Sequence, residues 1–213
     1  MNYPKVIENL IEQLMKLPGV GRRSAERMVF WLLNNSPEES ARLSQSVTEL
    51  KEKLRFCKLC NNFTETEVCP VCEDTTRDSG VICVVENPKD AIAIEKTGIF
   101  KGQYYVLLGT VIPSEGQGPE DLDIAKLIAK IKADNIAEVV LATDADMEGE
   151  LTALHLTKIL QPLGVKISRI GIGLPAGGAV EFADMSTLTM SFHSRRAVLH
   201  DTRQDQPQPQ GSL

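Results

Sequence analysis

The 213-residue chain predicts an α+β fold assembled from several modules. A helical front comes first, then a small four-cysteine module, then an α/β domain around a central, mostly parallel sheet, and finally a C-terminal extension. Three observations predict this. Apolar residues at helical spacing run through residues 6–54, interrupted by short turns. Two Cys-x-x-Cys pairs follow in close succession. From Gly80 onward, β-branched runs alternate with helical stretches, the signature of parallel strands joined by crossovers.

Val6, Ile7, Leu10, Ile11 and Leu14 fall on one helical face, so the chain opens with an amphipathic helix. Leu17-Pro18-Gly19-Val20-Gly21 breaks it. A second helix carries Ala25, Met28, Val29 and Leu32 on its apolar side. Ser36-Pro37-Glu38-Glu39 reads as a helix start, with a serine N-cap, proline at the first position and a glutamate closing a capping box. The third helix is expected to pack Leu43, Val47, Leu50 and Leu54 and to end just before Cys57.

The segment from Cys57 to about Asp78 is too polar and short to bury a core of its own. After it, Val81–Val85 is a continuous apolar run, as in a strand covered on both faces. Further strands are expected at Tyr104–Leu108, Val139–Thr143 and Val165–Ile170, with helices between them. The last thirteen residues are polar and rich in Gln and Pro, and are expected to be a disordered tail.

With 42% hydrophobic and 24% charged residues the chain is globular, and no apolar run reaches the roughly 18 to 20 residues of a membrane span. The expectation is a soluble cytoplasmic protein. The net charge of −6 hides an asymmetry: residues 1–60 hold ten Lys/Arg against seven Asp/Glu, so the acidic excess lies entirely in the rest. The front can touch phosphate, and the rear cannot.

The turn between the first two helices is a phosphate-binding arrangement. Gly19 and Gly21 allow a tight turn and close approach, the N–H groups opening the second helix face an anion, and Lys16, Arg22, Arg23 and Arg27 surround them. Contacts of this kind bind the DNA backbone without reading sequence. An ordinary helical hairpin with solvated arginines is the plainer alternative.

Cys57-x-x-Cys60 and Cys69-x-x-Cys72 offer two knuckles that close tetrahedrally on one structural Zn²⁺. A redox pair is the alternative, but the thioredoxin-like unit around such a pair is missing. Cys83, inside an apolar run, reads as core.

Glu86 ends the first strand of the sheet, and Asp144-x-Asp146-x-Glu148 follows the third. Functional groups gather at the carboxyl ends of parallel strands, so these four carboxylates are expected to converge on one crevice, where such oxygens suit Mg²⁺. The glycine-rich loop from Gly109 to Pro119 lacks the Gly-Lys-Ser/Thr of a P-loop, and His155, His193 and His200 are scattered.

These motifs carry a resemblance. The stretch LPGVGRRSAERMVFWLL resembles the helix-hairpin-helix of the RecR family of bacterial recombination mediators almost position for position. A strand-end Glu followed by Asp144-x-Asp146-x-Glu148-Gly149 resembles the Toprim domain of topoisomerases, primases and some nucleases, whose acids hold metal for phosphoryl chemistry. The order of hairpin, zinc module and Toprim matches RecR, as do GTVIPSEGQGPEDL, EGELTALHL and IGIGLPAGGAVEFADMSTL.

The resemblance implies a division into a helix-hairpin-helix (1–55), a four-cysteine zinc finger (56–78), a Toprim domain (79–175), a C-terminal segment (176–200) and a tail (201–213). It implies a non-enzymatic DNA-repair factor of the bacterial cytoplasm and nucleoid, forming homodimers or homotetramers. Such a factor acts with RecO and RecF to help load RecA on gapped single-stranded DNA. It further implies that Glu86, Asp144, Asp146 and Glu148 dock RecO and do not catalyse. One departure stands out. Many family members have lost part of the Asp-x-Asp element, whereas Asp144 and Asp146 are both present here. Mg²⁺ binding therefore stays open, and a small Mg²⁺-dependent Toprim nuclease is the alternative function.

Overall fold

The computed structural model describes residues 3–195, which form two compact units: residues 3–57 with 63–69, and residues 58–62 with 70–195. The expected tail (201–213) and the end of the expected 176–200 segment, including His200, lie outside the described residues.

In the first unit, helices α1 (Lys5–Leu14), α2 (Arg22–Asn34) and α3 (Pro37–Lys53) are followed by a minimal antiparallel pair, β1 (Arg55–Phe56) and β2 (Phe63–Thr64). The α1 period seats Ile11 against Ala25 and Val29 of α2; all three are buried, and Ile7, Leu14 and Val20 pack around them. The turn between α1 and α2 needs a left-handed residue, and Gly19 supplies it at φ +77°. Phe56 and Phe63 face each other across the β1–β2 pair and stack at 5.6 Å.

The third helix starts where expected, with Ser36 as N-cap and Pro37 at the first position. Its capping box does not close. The Ser36 side chain caps no backbone N–H; it engages Glu38 and holds that carboxyl below its usual range, while Glu39 pairs with Arg42 at 3.1 Å. The apolar face of α3 also departs from expectation, because Leu43, Val47, Leu50 and Leu54 are all exposed. Periodicity identified which face is apolar, but it could not say whether the chain supplies a cover for it.

The second unit is a four-stranded parallel sheet in the order β4-β3-β5-β6, with β3 at Asp78–Val85, β4 at Gly102–Val106, β5 at Glu138–Ala142 and β6 at Lys166–Arg169. The short helix α4 (Pro70–Glu73) precedes it, and α5 (Pro88–Lys96), α6 (Ile124–Ala133) and α7 (Met147–Leu160) form the crossovers. Strand alternation splits the core in two. Ile82, Val84, Tyr105, Val139 and Leu141 face one way and pack under Leu127 and Ile131 of α6 and Leu156 and Leu160 of α7. Cys83, Val85, Tyr104, Val106 and Ala142 face the other way, under Ala91 of α5. Full burial of each such large apolar side chain contributes roughly 1.5–3 kcal/mol, so both faces are held.

This division follows from the strand order. From β3 the chain moves outward to β4 through α5, then returns across β3 to β5 through α6. A reversal of direction with crossovers of one hand puts the connecting helices on opposite faces. It also makes the carboxyl ends of β3 and β5 the switch point of the sheet, where crevices open.

After β6, the chain forms helix α8 (Met185–His193), capped by Asp184, whose carboxylate accepts the Thr187 N–H at 2.9 Å. Among the described residues no helix is long and apolar enough to cross a membrane.

Candidate nucleic-acid interface, metal centre and acidic crevice

At the hairpin, Gly21 is the N-cap of α2 and offers no side-chain cap, so the first N–H groups of that helix stay open. A Cβ built on Gly19 or Gly21 would meet nothing within 4 Å. Gly19 is required by its positive φ. Gly21, at φ −84°, is not under that constraint, and the space before it is open for an approaching ligand.

The four basic residues divide. Arg22 is committed within the hairpin: its guanidinium donates to both Glu8 oxygens at 2.7 and 2.9 Å and to Glu26 at 3.2 Å. Lys16 donates to the Gln13 side chain at 2.9 Å. Arg23 and Arg27 are exposed, one turn apart on α2, and have no ion-pair partner among the described residues. Arg22 therefore ties α1 to α2, whereas Arg23 and Arg27, like Lys16 beside the neutral Gln13 amide, have no carboxylate partner among the described residues.

Cys57, Cys60 and Cys69 are buried and Cys72 is half-buried, and their four sulfurs lie within 4.8 Å of one another. A tetrahedral zinc with bonds of about 2.3 Å needs sulfurs roughly 3.8 Å apart, so the thiols fit the ion. Four protein ligands leave no open position, which makes the metal structural. The Cys69 N–H points at Cys57 Sγ at 3.3 Å, the kind of donor that stabilises a metal-bound thiolate. Behind Cys60, Asn61 takes a left-handed conformation at φ +61°. Its side-chain amide donates to the Val106 carbonyl at 3.0 Å, its oxygen accepts from Lys126 at 2.6 Å, and the Cys60 carbonyl accepts the Val106 N–H at 2.8 Å. The knuckle thus hooks onto β4, the sheet's edge.

At the switch point, Glu86 follows β3 and is almost fully buried. Its carboxylate accepts the Asp144 backbone N–H at 3.0 Å. Burial, opposed by that hydrogen bond and reinforced by the charges of Asp144, Asp146 and Asp90, raises the Glu86 carboxyl to about 7. Asp146 is the N-cap of α7 and accepts the Gly149 N–H at 2.8 Å, while Glu148 lies in the first turn. Asp144 and Asp146 are exposed and Glu148 is half-buried. Topology therefore brings the four acids to one end of the sheet. Among the described residues the compact group of metal-ligating atoms is the cysteine set, and the four carboxylates do not form another.

Two further residues shape this end of the sheet, Gly149 of the acidic motif and Arg169, which the sequence did not single out. Gly149 lies so close to the preceding loop that a Cβ would stand 2.2 Å from the Asp144 carbonyl oxygen. Arg169, at the end of β6, pairs with Glu150 and donates to Thr143 Oγ1 and the Asp144 carbonyl, each at 3.3 Å. The signal for Arg169 was a cation ending the strand next to the acidic loop, visible only once β6 is known to border β5.

Comparison with known proteins agrees with these elements. The chain matches the RecR helix-hairpin-helix family over residues 7–51, the RecR four-cysteine zinc finger domain over 54–74, the Toprim domain over 80–171 and the RecR C-terminal family over 173–196. Proteins named Recombination protein RecR from Streptomyces coelicolor, Streptomyces avermitilis and Thermobifida fusca are each 46% identical over 196 residues. The alignments cover 92% of this chain and 98% of each relative. With hairpin, four-cysteine centre and Toprim sheet in this order and likeness of this extent, the chain belongs to the RecR family.

Proposed function

We propose that the chain is a DNA-binding recombination mediator that holds DNA by its backbone at the α1–α2 hairpin and has no catalytic activity of its own. The observation that carries this reading is the pairing pattern at that turn. Arg22 is used inside the hairpin, while Arg23 and Arg27 stand exposed, without an ion-pair partner among the described residues, beside the open N–H groups of α2. Backbone contacts of this kind bind without sequence preference, which suits a factor that must act wherever a gap occurs. The name carried by its relatives supports a place in recombination.

In this reading the protein works with RecO and RecF to promote RecA loading on gapped single-stranded DNA, as a homodimer or homotetramer. The face formed by Glu86, Asp144, Asp146 and Glu148 docks RecO. The decisive experiment is DNA affinity at several salt concentrations. Replacing Arg23 and Arg27 together with alanine should weaken binding by a similar factor on unrelated sequences and lower the log–log salt slope by about 2. Unchanged affinity and slope would defeat the hairpin assignment.

A small Mg²⁺-dependent nuclease is the rival, favoured by one observation: Glu86 and Asp144 meet at the switch point with Asp146 alongside. Circular DNA incubated with Mg²⁺ or Mn²⁺ should stay unnicked. Nicking abolished by Asp144→Asn would replace the first reading with the second.

A further inference from the structure

Trp31, the single tryptophan of the chain, is 58% exposed on α2. Arg23, Arg27 and Trp31 are spaced four residues apart and so succeed one another along one side of the helix. The stripe is about 12 Å long, the length of three to four stacked nucleotides. Arg27 and Trp31 also line one cavity of about 410 Å³, completed by Leu14, Met28, Leu32 and Leu43. Its walls are almost wholly apolar, so Arg27 meets it with its aliphatic stem, and Arg27 is the charged residue of the lining. The adjoining cavity, lined by Val6, Leu10, Leu33 and others, has no charged wall.

We infer that Trp31 is a stacking platform for an unpaired nucleobase, placed so that the base rests on the indole while its phosphates lie on Arg23 and Arg27. The argument is one of complementarity. A nucleotide in a single strand presents an apolar flat face and an anion within a few ångströms, and this stripe presents an aromatic face and two exposed cations in the same order. In a duplex the base faces are hidden in the stack, so only an unpaired base can use the platform. Stacking on an aromatic side chain is tolerant of base identity, in keeping with contacts that do not read sequence. The inference rests on the proposed phosphate contacts of Arg23 and Arg27. It adds that the hairpin distinguishes unpaired from paired DNA, so the edge of a gap is held more firmly than the duplex beside it.

A single tryptophan makes the test direct. Full-length protein is titrated with oligo-dT, with an abasic strand of equal length and with a blunt duplex, following indole fluorescence and, independently, the anisotropy of labelled DNA. Oligo-dT should quench Trp31 and the abasic strand should not. Trp31→Ala should weaken oligo-dT binding roughly 5- to 100-fold with duplex affinity unchanged, and Trp31→Phe should retain most of it. Equal quenching by the abasic strand, or wild-type oligo-dT affinity in Trp31→Ala, overturns the platform while leaving the arginine contacts standing. Failure of the wild type to bind any of the three DNAs removes the underlying DNA reading, and the platform with it. Indole emission that shifts on diluting protein alone, together with a smaller oligomer in Trp31→Ala, would assign the cavity to a second copy of the chain instead.

Discussion

Glu86 and Asp144 lie 58 residues apart in sequence and are joined by a 3.0 Å hydrogen bond from the Asp144 backbone N–H to the Glu86 carboxylate. The bond fixes the start of the acidic loop to the end of the neighbouring strand. It also buries a carboxylate among three other acids, which is costly unless the group takes up a proton.

That cost has a pH signature. The Glu86 carboxyl is raised from an ordinary 4.5 to about 7, so the folded protein holds a proton that the unfolded chain has already released. The Glu86 contribution is therefore most favourable below about pH 4.5. It is lost as pH rises through 7, and above 7 the penalty is complete at up to about 3 kcal/mol. Glu86→Gln keeps an oxygen to accept from Asp144 and removes the ionisation. Urea unfolding across pH 5 to 8.5 should show the variant more stable than wild type at the alkaline end, with the difference vanishing toward pH 5. A difference independent of pH would mean that Glu86 does not titrate in this range.

Arg22 and Gly21 are neighbours with separable roles. Arg22→Ala breaks the link to Glu8 and should lower the melting temperature slightly, leaving DNA affinity near wild type. A loss of affinity as large as that of Arg23→Ala/Arg27→Ala would return Arg22 to the phosphate-binding set. Gly21→Ala adds a methyl group into open space. It should cost at most about 1 kcal/mol of stability, as an alanine at an N-cap does, yet weaken DNA binding by obstructing the backbone approach.

The zinc knuckle and the edge strand should respond together. Val106 exchanges both of its outward backbone hydrogen bonds with Cys60 and Asn61, so it is held by residues that zinc orders. Chelation should release about one zinc per chain and speed hydrogen exchange at the Val106 amide, while Leu141 in the central β5 keeps its protection. Asn61→Ala should speed exchange at Val106 with zinc still bound. Protection of Val106 unaffected by chelation would show that β4 is held without the knuckle.

How much of this was legible in the sequence depended on whether the signal was local. The four sheet strands and their crossover helices were readable because β-branched runs and helical periods are local patterns, and the paired cysteines because ligand spacing is local. Convergence of Glu86 with Asp144 was readable from the rule that strand ends gather function. The strand order was not, and with it went Arg169, whose place beside the acids depends on β6 bordering β5. The commitment of Arg22 to Glu8 was invisible for the same reason: four arginines and lysines at one turn look alike until partners are known. Helix α8 was missed because its Ser, Thr and Phe residues favour helix weakly. The available clue was Asp184 followed three residues later by Thr187, an N-cap pattern outside any strong apolar period.

Gly149 tests whether the acidic loop is held by packing as well as by hydrogen bonds. Its N–H caps onto Asp146 at 2.8 Å and its carbonyl accepts from Thr143 at 2.9 Å. A Cβ there would come within 2.2 Å of the Asp144 carbonyl oxygen and 2.9 Å of the Asp144 nitrogen. Backbone atoms cannot swing aside as a flexible side chain does, so Gly149→Ala must push α7 and the loop apart. Overpacking of this kind costs about 1–3 kcal/mol, readable as a lower urea midpoint with an unchanged slope. On the proposed function, the displaced loop should also weaken RecO binding while DNA affinity at the hairpin stays at the wild-type level, because the two proposed sites use different elements. Wild-type stability in Gly149→Ala would mean that α7 yields freely, and the close approach of Gly149 to Asp144 would then have no part in setting the acidic face.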